Sequence, residues 1–310
     1  MAKCLVLGAN GFIGSHLVDA LASNGNSVRA FGRFKGKTSF NDHEAVEVFA
    51  GDFLNASDLA EAVRGMEYVF HFISTTTPAT AENDPLIDIE TNIRMSVELL
   101  QVCVSAGVKR VIFASTGGAI YGEGGDKPFS ETDLPKPVSP YAIGKLSIEQ
   151  YLRYFKVKHG LDSVALRISN PYGERQPLHR KQGVLPIFLD TILNDQPLTI
   201  YGDGSMVRDY VYVKDVATMI AAMFDKPAQH EVYNVGSGAG HSVLELVSAV
   251  EKASGKTAQL AYQPAPPTFI NKVVLDTSRF SKEFGVRATT SLDDGLKETL
   301  YYIESETSQA

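Results

Sequence analysis

Three glycines close to the start of the chain, in Gly8-Ala-Asn-Gly11-Phe-Ile-Gly14, restrict its fold more than any other stretch. They follow Lys3-Cys-Leu-Val-Leu7, a short apolar run of the kind that forms a parallel strand buried on both faces. Behind them a helical pattern runs to about Ser23. A strand that turns at once into a helix over a nearly bare backbone opens a βαβ unit in a doubly wound parallel sheet. Gly8 and Gly11 make the turn and the close approach, with Asn10 between them, and Gly14 lets helix pack on strand. The helix N-terminus, with Phe12 and Ile13 in its first turn, then offers unpaired N–H groups to an anion such as a pyrophosphate. A glycine trio alone can be a purely structural turn; its place between strand and helix points to a dinucleotide.

The strands that follow fit the same α/β reading. Ser27-Val-Arg-Ala-Phe-Gly-Arg33 is the second, and it ends on Gly32-Arg33 where an acid would grip a ribose 2′-hydroxyl. Arginine there can pair with a 2′-phosphate, so the local chemistry leans to NADP over NAD. The third strand ends at Gly51-Asp52; Asp52 either accepts from an adenine amino group or starts the helix from Asn55. Tyr68-Val-Phe-His71-Phe-Ile-Ser74 is the fourth, with His71 read as a satisfied core residue, and the polar loop Thr75–Thr80 follows it. A long helix is expected from about Asp84 to Ser105, carrying Asn92. The fifth strand, Lys109–Ala114, delivers Ser115-Thr116-Gly-Gly-Ala-Ile-Tyr121, and Ser163–Ile168 is the sixth. Beyond it Pro and Gly become frequent, with helices at about 183–194, 213–225, 242–254 and 290–304 and short apolar runs at 231–235 and 259–262. Residues 1–168, with return segments at about 207–240, are the expected Rossmann part, and 169–310 mainly a smaller α/β cap at the C-terminal side.

Ser139-Pro-Tyr-Ala-Ile-Gly-Lys145 carries the chemistry. Tyr141 and Lys145 stand one helical turn apart on one face. Bringing a phenol from its ordinary pKa of about 10 to near neutrality takes roughly 4 kcal/mol of preference for phenolate. An adjacent ammonium and a cationic oxidised nicotinamide could provide it, making Tyr141 the acid and base of an alcohol oxidation.

A formal net charge of -7 gives no electrostatic reason to expect nucleic acid. No apolar run approaches the roughly 20 residues needed to cross a bilayer, so no membrane is expected. The first strand begins so early that a signal peptide has no room. Cys4 and Cys103 lack metal-ligand spacing and read as buried thiols, so no metal is expected and the chain is placed in the cytoplasm.

The glycine turn, the Ser/Thr after the fifth strand and Tyr-x-x-x-Lys, in this order, resemble the extended short-chain dehydrogenase/reductase superfamily. Arg167-Ile-Ser-Asn170-Pro-Tyr-Gly and Tyr201-Gly-Asp-Gly-Ser-Met-Val-Arg208-Asp-Tyr extend the likeness to its nucleotide-sugar epimerases, the UDP-galactose 4-epimerase type above all. The resemblance implies Tyr141 as acid/base, Lys145 as its electrostatic partner and ribose contact, and Thr116 as the hydroxyl steering substrate O4. It implies Gly8, Gly11, Phe12 and Ile13 at the pyrophosphate, Asp52 and Phe53 at the adenine, and Phe72, Ile73, Ser74 and Asn92 along the cofactor. Asn170 and Arg208 would hold the substrate diphosphate or its ribose, with Val184, Thr199 and Tyr201 against the base. A homodimer through the helices at about 84–105 and 139–159 is likewise implied.

Several features depart from that pattern. The acid of the second strand is missing, and the Ser/Thr-to-Tyr121 spacing is one residue longer than in many epimerases. Thr116-Gly117-Gly118 lacks the carboxyl groups of the dehydratases, which speaks against a 4,6-dehydratase. Pro264–Ile270 lacks the usual phosphate-binding arginine, so either Arg175 or Arg180 replaces it or the nucleotide grip differs. The expected activity is C4 epimerisation of a nucleotide hexose through a 4-keto intermediate. The alternatives are an NADPH-dependent 4-ketoreductase of a nucleotide 4-keto-6-deoxyhexose and a non-catalytic NAD(P) sensor.

Overall fold

The computed structural model describes residues 1–124, 126–177, 183–265 and 270–307. β1 (Lys3–Leu7) turns into α1 (Phe12–Ser23), followed by β2 (Ser27–Gly32), β3 (Val46–Ala50), α2 (Ala56–Val63) and β4 (Tyr68–His71). Two short helices, α3 (Pro78–Asn83) and α4 (Pro85–Asp88), and a π-helical turn at Ile89–Ile93 lead into α5 (Arg94–Ala106). Then come β5 (Arg110–Thr116), the one-turn α6 (Gly117–Ile120), α7 (Pro140–His159), β6 (Asp162–Ile168) and β7 (Asn170–Tyr172). The rest is α8 (Val184–Leu193), β8 (Pro197–Tyr201), β9 (Val207–Tyr212), α9 (Val213–Met223), β10 (Val232–Val235) and β11 (Gly240–Ser242). It closes with α10 (Val243–Ser254), β12 (Gln259–Gln263), β13 (Lys272–Val273), α11 (Ser278–Phe284) and α12 (Leu292–Thr307).

Seven strands form one parallel sheet in the order β10-β6-β5-β4-β1-β2-β3. The winding reverses at β1, so the crevice beyond the carboxyl ends of β1 and β4 is the place for a ligand. Alternation along β1 explains the two layers. Cys4 and Val6 face a core with α1, α9 and α11, whereas Leu5 and Leu7 face one with α2, α5 and α7. Both thiols are free and buried, as expected, and burial pushes the Cys4 thiol up to about 12.

A second body packs α8, α10 and α12 around β8 and the Tyr210 and Tyr212 side of β9. β9 joins β7, β11 and β13 in a small sheet, and β8 pairs with β12. Within 207–240, β9 thus leaves the large sheet, whereas β10 rejoins it beside β6. The helix expected from 84 to 105 is not continuous. Pro85 starts a new turn, and the π turn around Asn92 inserts an extra residue before α5. Among the described residues no helix is long and apolar enough to cross a membrane, and no three His, Cys, Asp or Glu are grouped to hold a metal.

Candidate active site

The glycine turn is built so that side chains have no room. Gly8 has a φ of 83°, and a Cβ there would lie 2.9 Å from the Phe72 carbonyl oxygen. A Cβ on Gly14 would fall 2.2 Å from the Gly8 oxygen. The Gly11 N–H donates to that same oxygen at 2.9 Å. Gly11 caps α1 without any side-chain acceptor, and no acid sits in the first turn, where Phe12 and Ile13 lie. The helix N-terminus therefore presents N–H groups and a positive dipole end with nothing of the chain's own to neutralise them. These residues fit a pyrophosphate. Asn10 braces the turn by accepting from the Ser39 N–H at 2.6 Å.

Along the rest of the crevice the expected cofactor residues are placed unevenly. Arg33 follows β2, is exposed, and makes no ion pair among the described residues. One Asp52 oxygen closes a local turn on the Leu54 N–H at 3.0 Å, while Asn55 caps α2. The Phe53 ring is turned into the core against His71, 5.4 Å between centroids. Phe72 and Ile73 are partly buried beyond β4, and the Ser74 hydroxyl donates to the Thr76 oxygen at 2.9 Å. His71 is only half satisfied. One ring nitrogen meets the Ser96 hydroxyl at 2.7 Å, the other has no partner among the described residues, and burial lowers the ring's pKa to about 3.

α7 brings Tyr141 and Lys145 to the carboxyl edge of the central strands. Ser139 caps it by accepting from the Ala142 N–H, Pro140 opens it, and Gly160 ends it in a left-handed conformation. The Lys145 ammonium donates to the Ala114 oxygen of β5 at 2.9 Å, lies 4.8 Å above the Phe113 ring and 5.7 Å from that of Tyr141. Thr116 ends β5, and neither its hydroxyl nor that of Tyr141 bonds within the described chain. Burial pushes the Tyr141 phenol up to about 12, and the Asp88 carboxylate pushes the same way. Burial lowers Lys145 to about 8, against the opposing pull of Asp88 and Glu149. Desolvation of the phenolate thus sets the direction at Tyr141, which leaves the expected lowering to a bound cationic nicotinamide acting with the ammonium.

Asn92 sits in the π turn and ties this region to the loop after β4. Its oxygen accepts from the Thr75 N–H at 2.9 Å, and its amide donates to the Thr76 hydroxyl and to Asp88, each at 2.8 Å. Asp88 is a site residue that sequence reasoning missed. The available signal was Gly144, a glycine in the middle of a helix, which costs about 1 kcal/mol relative to alanine unless something needs the space.

The expected substrate residues lie on β7, β8, β9 and α8. The Asn170 amide donates to the Asp209 oxygen at 2.9 Å. Arg208 donates to the Val207 oxygen at 2.8 Å and the Ile270 oxygen at 2.7 Å, and no ion pair to Asp209 or Asp215 forms. Asp209 instead holds the Ser237, Gly238 and Leu275 N–H groups, and Asp215 those of Thr289 and Thr290. Burial lowers the Arg208 pKa, outweighing the opposing pull of Tyr210 and Glu123. Val184 opens α8, and Thr199 and Tyr201 share the exposed face of β8. Arg175 is committed to Asp19 at 2.7 Å, and Arg180 lies outside the described residues. A cavity of about 260 Å³ lies elsewhere, between Tyr172, Arg175, Leu185, Leu189, Tyr302 and Ile303.

A family model described as NAD dependent epimerase/dehydratase matches residues 4–236. The dTDP-4-dehydro-6-deoxyglucose reductase of Escherichia coli is 32% identical over 299 residues, 94% of this chain and 94% of that protein. A UDP-glucose 4-epimerase of Thermotoga maritima, solved with UDP-glucose, is 36% identical with a TM-score of 0.91, covering 98% of this chain and 99% of that one. A UDP-glucose 4-epimerase of Thermus thermophilus, solved with NAD, is 35% identical with a TM-score of 0.89, covering 97% of this chain and 98% of that one.

Proposed function

We propose that this chain, which belongs to the NAD dependent epimerase/dehydratase family, is an enzyme that interconverts nucleotide hexoses at C4. The observation that carries the substrate class is Arg208, a partly buried guanidinium held by two carbonyls that makes no ion pair among the described residues and feels Glu123 only at longer range. A diphosphate provides the missing charge and a fork of acceptors. Asn170 lies beside it on β7, and Thr199 and Tyr201 on β8 offer a face for the base.

In the forward half-reaction Tyr141 accepts the O4 proton as the C4–H bond breaks, and Thr116 orients that oxygen. In the return half Tyr141 gives the proton back once the 4-keto sugar has turned over. Lys145 stabilises the phenolate and, with Asn92, lines the crevice. Bound, an oxidised nicotinamide would supply the positive charge that favours phenolate and an acceptor for the C4 hydrogen together with both electrons of its bond, to be given back in the return half. Epimerisation needs a fixed diphosphate and a sugar free to turn. The small hydroxyls of Thr75 and Thr77 leave that freedom.

The test is exchange between glucose and galactose forms of UDP- and dTDP-hexoses by purified enzyme, with no net consumption of dinucleotide. Absence of exchange across the panel would overturn the proposal. A second reading, net reduction of a nucleotide 4-keto-6-deoxyhexose, is favoured by the similarity to the Escherichia coli reductase and by Arg33. Gly32 in place of an acid, with exposed Arg33 beside it, supports NADP as the cofactor. The mass of the copurifying dinucleotide decides that point, and stoichiometric loss of NADPH absorbance with a keto-sugar selects the reductase. Assembly into a homodimer is proposed from the apolar outer face of α7.

A further inference from the structure

We infer that Asp88 is a positioning residue of this site: its carboxylate is the fixed counter-charge of Lys145, and the missing side chain at Gly144 is what admits it. The inference rests on reading Tyr141 and Lys145 as the acid–base pair. Asp88 closes α4 and is buried. One of its oxygens accepts from the Thr76 hydroxyl at 2.5 Å and the Asn92 amide at 2.8 Å. The other stands where residue 144 would carry its side chain, 2.0 Å from an ideal Cβ built there. Gly144 lies in the helical turn between Tyr141 and Lys145, so only a glycine allows the carboxylate to rest there.

The charges around Lys145 single Asp88 out. On the same helix Glu149 is taken by Arg167 of β6, through bonds of 2.8 and 3.1 Å, and by the Ser115 hydroxyl at 2.5 Å. From β4, His71 is neutral, and from β5 come only the Phe113 ring and the Ala114 carbonyl. Asp88 makes hydrogen bonds to neutral groups and no ion pair of its own among the described residues. Among the described residues it is therefore the neighbouring carboxylate whose charge is not already matched. Its effect on the two reactive groups is opposed. It favours the ammonium of Lys145 and disfavours the phenolate of Tyr141. The arrangement keeps the lysine charged in a buried place and leaves the phenol in need of a further cation before it ionises.

The test is a titration of Lys145 in the holoenzyme by NMR of carbon-13-labelled lysine, with the signal assigned by its loss in Lys145→Arg. Asp88→Asn keeps an acceptor for Thr76 and Asn92 and removes only the charge. It should lower the Lys145 midpoint by about one unit, a tenfold loss of proton affinity. Gly144→Ala should do the same by displacing the carboxylate, and the double variant should add nothing further. The alkaline limb of kcat should move down equally, with KM unchanged. An unmoved midpoint in either folded variant overturns the inference, and additive shifts overturn the part assigned to Gly144. Should Asp88→Asn fail to fold, Gly144→Ala decides alone. If the midpoints move as stated while no nucleotide hexose is exchanged, the epimerase reading fails and the electrostatic role stands.

Discussion

At Tyr141 the reactive oxygen forms no bond within the described chain, while the ring packs beside Lys145. Tyr141→Phe should therefore leave stability within about 0.5 kcal/mol. It should lower kcat for C4 exchange by about 10²- to 10⁴-fold, the range expected when an acid/base group is lost. Equal activity in this variant would remove the tyrosine from the mechanism. Lys145 makes a prediction about stability in the protein without cofactor. Its folded pKa of about 8 lies below the ordinary 10.5, so between these values the unfolded chain binds more protons than the folded one. Wild-type stability, measured against Lys145→Met, should rise with pH across that window, by at most about 1.4 kcal/mol per pH unit. A flat difference from pH 8 to 10 would mean that the folded lysine titrates like a free one. Gly8, Gly14, Tyr141 and Lys145 were legible because sterics and helical spacing act over a few residues. Asp88 was not, since its carboxylate meets Gly144 only after two helices have packed.

The position of α7 is set by a buried chain of polar groups running behind it. Glu149 takes two bonds from Arg167, which also donates to the Tyr121 hydroxyl at 3.0 Å, and Tyr121 in turn donates to Asn234 at 2.7 Å. With the Ser115 hydroxyl donating to Glu149, the chain ties α7 to β5, β6 and β10. Glu149→Gln leaves a buried guanidinium unmatched, so unfolding in urea should show a loss of about 3 kcal/mol. A loss below about 1 kcal/mol would mean water or a relaxed Arg167 replaces the carboxylate. The strands of the large sheet and most helices were readable from apolar period and from Gly and Pro, with ends displaced by up to about three residues, whereas β7, β8, β9, β11 and β13 were not. The split of the 84–105 helix was not, because a π turn is fixed by what Asn92 bonds across space, and sequence periodicity does not record that. The phenol's upward shift was also hidden, since burial at Tyr141 comes from the folded site as a whole.

At the scale of the whole molecule the outer face of α7 calls for a partner. Ile143, Tyr154 and Val157 are 50%, 51% and 80% exposed on the side away from Lys145 and Glu149, and Leu86 and Ile89 add exposed apolar surface before α5. Exposed apolar side chains gathered on one side of a long helix are what an interaction face would offer, and the proposed homodimer draws on them. A second copy of the chain would cover it by a two-fold arrangement in which each stripe meets its own counterpart. Placing Asp at both Tyr154 and Val157 would bury unpaired charges in that contact, so this double variant should sediment at the chain mass of 33.6 kDa and the wild type at twice that. Because the same helix carries Tyr141 on its inner face, loss of the partner frees one side of α7, and kcat should fall several-fold while the nucleotide-sugar KM, set by the cap through Arg208, stays close to wild type. A wild-type protein that sediments as a monomer at micromolar concentration would remove the dimer and with it this coupling, leaving each chain to hold its own catalytic helix through Arg167 and Glu149.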